Sequence, residues 1–368
     1  MKIGIKYKTD LEEIAVLVWS LRDSAIKADL RADGIFEERY NGKVFELTLG
    51  ENCFRFSTVD EALLECDKKV RVSHHSFDDV DPRYDKEICI LHDAIRDEFT
   101  EDLIREFLDK GNILISVSTA NFSHENLIYD PLLGLVTIYL DLGLHFLNYY
   151  QAPKNFKRLL GVYHKPLHIG GAPNNRRNEL YDKVRAQLGD DFGAYKSCDS
   201  SFFDLINSYR YFGRWGNNHI TGYTDYVTSV CNIVFETYDS VGSNVFQGRT
   251  LLTEKTTKAI IFCEENIFFI WYGREDFYKV LREYGFWFLN SEFYDATTEI
   301  QDQTAMCQSV FNATTYLQKL KHSLGTNERV YSHLMEKYGH HLKENVRLFK
   351  HLEQNCPVKD TLINTILK

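Results

Sequence analysis

The residues best suited to chemistry stand at Thr253-Glu254-Lys255, which opens the run Thr256 to Ile260 a short way after Phe235-Glu236-Thr237. A carboxylate and an ammonium on the first turn of a helix suit a nucleotide diphosphate. The carboxylate accepts hydrogen bonds from a ribose diol, while the ammonium and the helix N-terminus neutralise phosphate. An alternative stays open, in which Glu254 and Lys258 form an i,i+4 surface pair and Lys255 is solvated. Upstream, Asn174-Asn175-Arg176-Arg177 opens another helix. Cations there oppose the helix dipole unless an anion is bound or the guanidiniums reach water or Glu179. Lys154, Lys157, Arg158, Lys165, Arg176, Arg177, Lys183 and Arg185 crowd one part of an otherwise acidic chain, which implies a local positive patch.

A group able to take a proton from a hydroxyl is expected just after a strand end. His92-Asp93 follows the apolar run Ile88 to Leu91, and His124-Glu125 comes shortly after Ile113 to Ser118. Either histidine also reads as a packed or surface residue. Asp93 and Glu125 are the carboxylates in those positions. Asp78-Asp79-Val80-Asp81 with Asp85 lacks the glycine and terminal glutamate of a calcium loop and reads as a solvated acidic loop. The pairs His74-His75 and His340-His341 are sequence neighbours, whose side chains are expected to diverge, so no metal site is expected.

The elements that position these residues follow from periodicity. Met1 to Lys8, Val44 to Leu49, Ile88 to Leu91 and Ile113 to Ser118 read as strands. Glu101 to Lys110 reads as a helix with Thr100 as its cap and Gly111 beyond its end. Strand, helix and strand in that order form a βαβ unit and imply a parallel sheet. Pro153, in the polar stretch Gln151 to Asn155, marks a domain break. Beyond it, strands are expected at 158–163, 232–235 and 267–271. Helices are expected at 177–188, from 254 and over 276–284, and from about 302 onward a charged helical segment follows. The expectation is an α/β protein of three parts: an N-terminal α/β domain over 1–152, a second α/β domain over 153–300, and a helical C-terminus over 301–368.

The second part resembles the donor-binding domain of the alpha-1,3-fucosyltransferase family and its viral and phage glycosyltransferase relatives. The likeness runs from Arg158 to about Asp295 and rests on Arg177, Phe235-Glu236-Thr237, Thr253-Glu254-Lys255 and the apolar strand Ile267 to Gly273. Leu281-Arg282-Glu283-Tyr284-Gly285-Phe286 and Phe293-Tyr294-Asp295 are closer to the viral and phage group. The resemblance implies a GT-B architecture of two Rossmann-like domains facing a cleft. It also implies an inverting, metal-independent transfer from a GDP- or UDP-linked sugar to a hydroxyl on a glycan or other acceptor, with no further cofactor. Under it, Arg177 and Lys255 meet the diphosphate, with Thr253 beside them. Glu254 meets the ribose, Glu236 the donor sugar, and Asp93 or Glu125 is the base. A hydroxylated DNA base as acceptor, or a non-catalytic nucleotide- or glycan-binding protein, are the alternatives.

Composition bounds these readings. The 368 residues, 44% hydrophobic and 26% charged, are enough for two cores and unlike a disordered chain. A net charge of -10 supplies no overall attraction to nucleic acid or to an anionic membrane. Eight cysteines without a CxxC pair suggest reduced thiols. With no signal-like N-terminus, and with charged or polar breaks in the apolar window Pro131 to Tyr150, the expected setting is cytoplasmic (host cytoplasm if viral) without a membrane span.

Overall fold

The computed structural model describes residues 2–8, 44–48, 53–57, 68–74, 82–91, 101–116, 123–129, 132, 135, 154–162, 175–194, 227–236, 252, 254–295, 304–354, 361, 364–365 and 368. The protein is α/β, with its long helices towards the C-terminus. It divides into two compact units. The first comprises Met1–Gly143, Val241–Leu251 and Leu352–Lys368, and the second Leu144–Ser240 and Leu252–His351. The stretch Gln151 to Asn155, expected as a break, lies inside the second unit, as does most of the helical C-terminus.

The first unit is built on a seven-stranded sheet. Its strands are β1 (Lys2–Lys8), β2 (Val44–Thr48), β3 (Cys53–Ser57), β4 (Lys68–His74), β5 (Lys86–Leu91), β6 (Ile113–Ser116) and β7 (Leu127–Tyr129). The order is β3-β2-β1-β4-β5-β6-β7. From β1 through β7 all pairings along β1-β4-β5-β6-β7 are parallel, and β5 to β6 is the expected βαβ unit around α1 (Glu101–Asp109). The sheet is nonetheless mixed, because β1 pairs with β2, and β2 with β3, antiparallel. A run such as Val44 to Thr48 does not reveal its direction, since strand polarity depends on the connection to its neighbour.

Helix α1 buries Ile104, Phe107 and Leu108, the i, i+3, i+4 stripe of an amphipathic helix. It ends where Gly111, at φ +85°, turns the chain and donates its N–H to the Leu108 carbonyl. Inside the sheet, Arg71 and Glu87 face each other on neighbouring strands and form a buried ion pair, with Arg71 Nε 2.7 Å from Glu87 Oε1. Removing one partner of such a pair strands the other charge.

The second unit has a four-stranded, all-parallel sheet made of β8 (Arg158–Val162), β9 (Phe192–Ala194), β10 (Ser229–Phe235) and β11 (Phe268–Tyr272), in the order β11-β10-β8-β9. Strands β10 and β11 are buried along their whole length, the pattern of a sheet covered on both faces. Helix α2 (Asn175–Leu188) links β8 to β9, and α3 (Glu254–Phe262) links β10 to β11. Helices that return between adjacent parallel strands start at the strands' carboxyl edge. After β11 come α4 (Glu275–Glu283), α5 (Thr304–Leu324) and α6 (Asn327–Gln354). Helix α5 packs on β8, β11 and α2, where Gln187 Nε2 donates to Thr315 Oγ1 and Gln318 Oε1.

Two buried asparagines close this unit. Asn290 accepts the Trp271 N–H and donates to the Trp271 carbonyl, both at 3.0 Å, on the side of edge strand β11 that no strand among the described residues covers. Asn345 of α6 does the same for Trp287, accepting its N–H at 2.8 Å and donating to its carbonyl at 2.6 Å. A side-chain amide carries one acceptor and one donor face, so it satisfies both main-chain groups of one residue as a neighbouring strand would. Among the described residues, no helix is long and apolar enough to cross a membrane.

Candidate functional site

In the second sheet, the chain moves from β8 outward to β9, then returns to the other side of β8 for β10 and β11. The strand order therefore reverses between β8 and β10, and ligands of open α/β sheets bind outside the carboxyl ends of the strands at such a reversal. Glu236 is the residue immediately after β10. Its main-chain N–H donates to the Tyr272 carbonyl at 2.8 Å, which extends the β10–β11 ladder by one bond.

The Glu236 side chain is 2% exposed and turns to the first turn of α3. Its Oε1 accepts the Thr256 N–H at 3.3 Å and also the Thr256 hydroxyl. Thr256 is the third residue of α3, within the turn whose N–H groups lack intrahelical acceptors, so the carboxylate meets one of those needs and also favours the helix dipole. The Thr256 hydroxyl accepts in turn from the Trp271 indole, Nε1 to Oγ1 2.8 Å. Indole nitrogen only donates and threonine has one hydroxyl proton, so the direction is fixed from Trp271 to Thr256 to Glu236. Glycine at 273 permits this closeness. A Cβ there would stand 2.5 and 2.8 Å from Trp271 ring carbons and 2.9 Å from the Glu236 Cβ.

The expected site residues are distributed as follows. Glu236 and the turn carrying Glu254 and Lys255 come together, through Thr256, at the carboxyl edge of the sheet. Lys255 is half-buried there. Arg177 is the third residue of α2, whose start lies on the same edge. Thr253 and Asp93, with His92 and Thr100, lie outside the described residues.

Glu125 is exposed and paired with Lys368, Oε2 to Nζ 2.9 Å. Its carboxyl is held below the ordinary range, first by the Lys368 hydrogen bond and charge. Its neighbour His124 accepts the Asn126 N–H at Nδ1, 3.1 Å, which leaves Nε2 to donate to Asp109 Oδ1 at 3.2 Å.

The expected basic cluster is divided. Lys154, Lys157 and Arg158 stand at the amino end of β8, and Lys183 and Arg185 in the later half of α2, away from its starting edge. Lys154 is engaged there: its Nζ donates to the Tyr331 hydroxyl and lies 4.7 Å from that ring's centroid, and burial pulls its pKa down. The same burial pushes the Tyr331 hydroxyl up to about 12.

His340 and His341 do not diverge as neighbours were expected to; their ring centroids are 3.9 Å apart. His341 stacks on Trp287 at 4.8 Å, and burial, then the His340 charge, lowers its pKa. Among the described residues, no group of three or more His, Cys, Asp or Glu side chains could hold a metal. Asp85, expected as part of a solvated acidic loop, accepts the Lys69 N–H at 2.8 Å. The other acidic residues of that loop lie outside the described residues.

Thr256, Trp271 and Gly273 were not among the residues expected to matter here as a set. Thr256 directly follows the Thr-Glu-Lys run, but its link to Glu236 depends on strand pairing that spacing alone does not supply. No family model and no curated protein matches the sequence, and no solved structure matches the fold.

Proposed function

We propose that the protein is a GT-B-like glycosyltransferase with two Rossmann-like domains, moving a sugar from a GDP- or UDP-linked donor to a hydroxyl of a glycan. The observation that carries this reading is the bond from Thr256 to Glu236, which holds the Glu254-Lys255 turn at the strand-order reversal of a parallel sheet. That is where a diphosphate meets helix N-terminal donors in α/β folds. The likeness of Phe235-Glu236-Thr237 and Thr253-Glu254-Lys255 to the alpha-1,3-fucosyltransferase family supplies the nucleotide-sugar class.

In the proposed reaction, an acceptor hydroxyl oxygen attacks the anomeric carbon from the face opposite the diphosphate. The carbon–oxygen bond to the diphosphate breaks, the diphosphate leaves with the electron pair, and the hydroxyl proton passes to a carboxylate. Lys255, Arg177 and the starts of α2 and α3 would stabilise the charge on the departing diphosphate. Glu125 has its carboxyl held low by Lys368, which weakens it as a proton acceptor, and Asp93 lies outside the described residues; one of these two carboxylates is the proposed base.

A thermal-shift comparison with GDP and UDP tests the reading. A nucleotide at about 100 times its Kd adds roughly 2.7 kcal/mol to stability. The wild type should melt higher with one nucleotide, and Lys255→Ala, equally stable without ligand, should not respond. A wild type indifferent to both nucleotides, or a Lys255→Ala variant that responds as strongly, would overturn the donor site.

A further inference from the structure

Glu236 stands beside the proposed donor site but exposes only 2% of its surface, too little to meet a sugar directly. Its described contacts run inward, to the N–H and hydroxyl of Thr256 on the turn that carries Glu254 and Lys255. Thr256 is fully buried, and its hydroxyl is committed at both ends, accepting from Trp271 Nε1 and donating to Glu236. Trp271 is itself held from several sides. It is fully buried in β11, its ring stacks on Tyr278 at 5.5 Å and 16°, and its main chain is held by Asn290.

We propose that Glu236 is a positioning residue rather than a ligand contact. The chain Trp271 to Thr256 to Glu236 fixes the first turn of α3, and through it the directions in which Glu254 and Lys255 meet a nucleoside diphosphate. This rests on the donor-site reading above. The physical reason is that a helix start with unmet N–H groups frays, and a frayed first turn would let both side chains wander. A carboxylate from the adjacent strand, accepting two hydrogen bonds from one residue of that turn, ties the turn to the sheet. The indole settles which way the hydroxyl proton points, so the tie has one geometry. Preorganisation of this kind raises affinity by removing the ordering cost on binding.

Two readouts on the full chain test it. The first is the indole N–H resonance of Trp271 in protein labelled at its 4 tryptophans, assigned with Trp271→Phe. The second is the affinity for GDP and UDP. Thr256→Val should shift the Trp271 resonance and weaken nucleotide binding about tenfold, the size expected for losing a hydrogen bond to a charged group. Thr256→Ser, which keeps the hydroxyl, should restore both. Glu236→Gln should shift the resonance and weaken binding in the same direction, while Lys255→Ala should lose binding and leave the resonance in place.

The proposal is overturned if nucleotide affinity survives Thr256→Val and Glu236→Gln, or if the Trp271 resonance ignores Thr256→Val. If the wild type binds neither nucleotide, the donor-site reading fails on that measurement alone, and the positioning role falls with it. The resonance then still reports whether the hydrogen-bond chain exists.

Discussion

Replacing Asn290 by alanine should destabilise the second unit far more than an ordinary loss of one hydrogen bond. Asn290 is fully buried beside the outer edge of β11, where its amide serves both the N–H and the carbonyl of Trp271 and also reaches Ser309 Oγ at 3.1 Å. Alanine leaves two main-chain groups unsatisfied in the interior, at about 1 to 3 kcal/mol each. The sum is roughly 2 to 6 kcal/mol, and at about 2 to 4 °C per kcal/mol the lower bound already lowers Tm by at least about 4 °C. Urea unfolding followed by tryptophan fluorescence measures it, with the midpoint falling and the slope unchanged if the folded state is otherwise intact. Asn290→Asp provides the control: it keeps an acceptor for the Trp271 N–H but has no donor for the carbonyl, so it should also be destabilised. A loss below about 1 kcal/mol for Asn290→Ala would mean that the Trp271 main chain finds other partners and that the edge-closing role is wrong.

Gly273→Ala should destabilise by about 1 to 3 kcal/mol through overpacking against the Trp271 ring, and should shift the Trp271 indole resonance; a silent substitution would show that the ring has room to move. The burial and His340 charge that lower the His341 pKa favour its neutral form in the folded state, against the nearby Glu292 carboxylate. The unfolded chain therefore binds the extra proton first as pH falls, so stability is retained above the unfolded value of about 6.5 and declines below it. Melting at pH 7.5 and pH 5.5 should show a smaller acid loss in His341→Phe than in the wild type, and equal losses would remove His341 as the cause.

Much of the second sheet was legible because its strands are short continuous apolar runs bounded by turn residues. β11 (Phe268–Tyr272) stops just before Gly273, and β10 ends at Phe235, where the sequence suggested. Helix α1 was legible for the same kind of reason, since Ile104, Phe107 and Leu108 make a buried stripe and Gly111 stops it. The antiparallel pairings of β2 and β3 were not, because direction is set by connections rather than by the residues of a strand. Nor was the use of Glu236. As a residue type at a strand end it reads as a ligand group, and only the register that brings β10, β11 and α3 together reveals a carboxylate turned inward. The adjacent histidines misled for a related reason: consecutive positions on a helix diverge at Cα, yet the exposed His340 ring still approaches the half-buried His341 ring that stacks on Trp287.

The order in which the chain supplies its two units has a consequence for synthesis. The first unit draws on residues near both termini and on Val241–Leu251, and the chain passes from one unit to the other four times. Vectorial folding, in which a leading domain finishes before the next emerges, is therefore closed to this chain. All seven strands of the first sheet precede Gly143, but the unit they belong to also takes in Val241–Leu251 and Leu352–Lys368, so it is complete only after the second unit's last residue, His351, has been made. A nascent chain stalled after Gly143 should accordingly remain protease-sensitive where the finished protein is not.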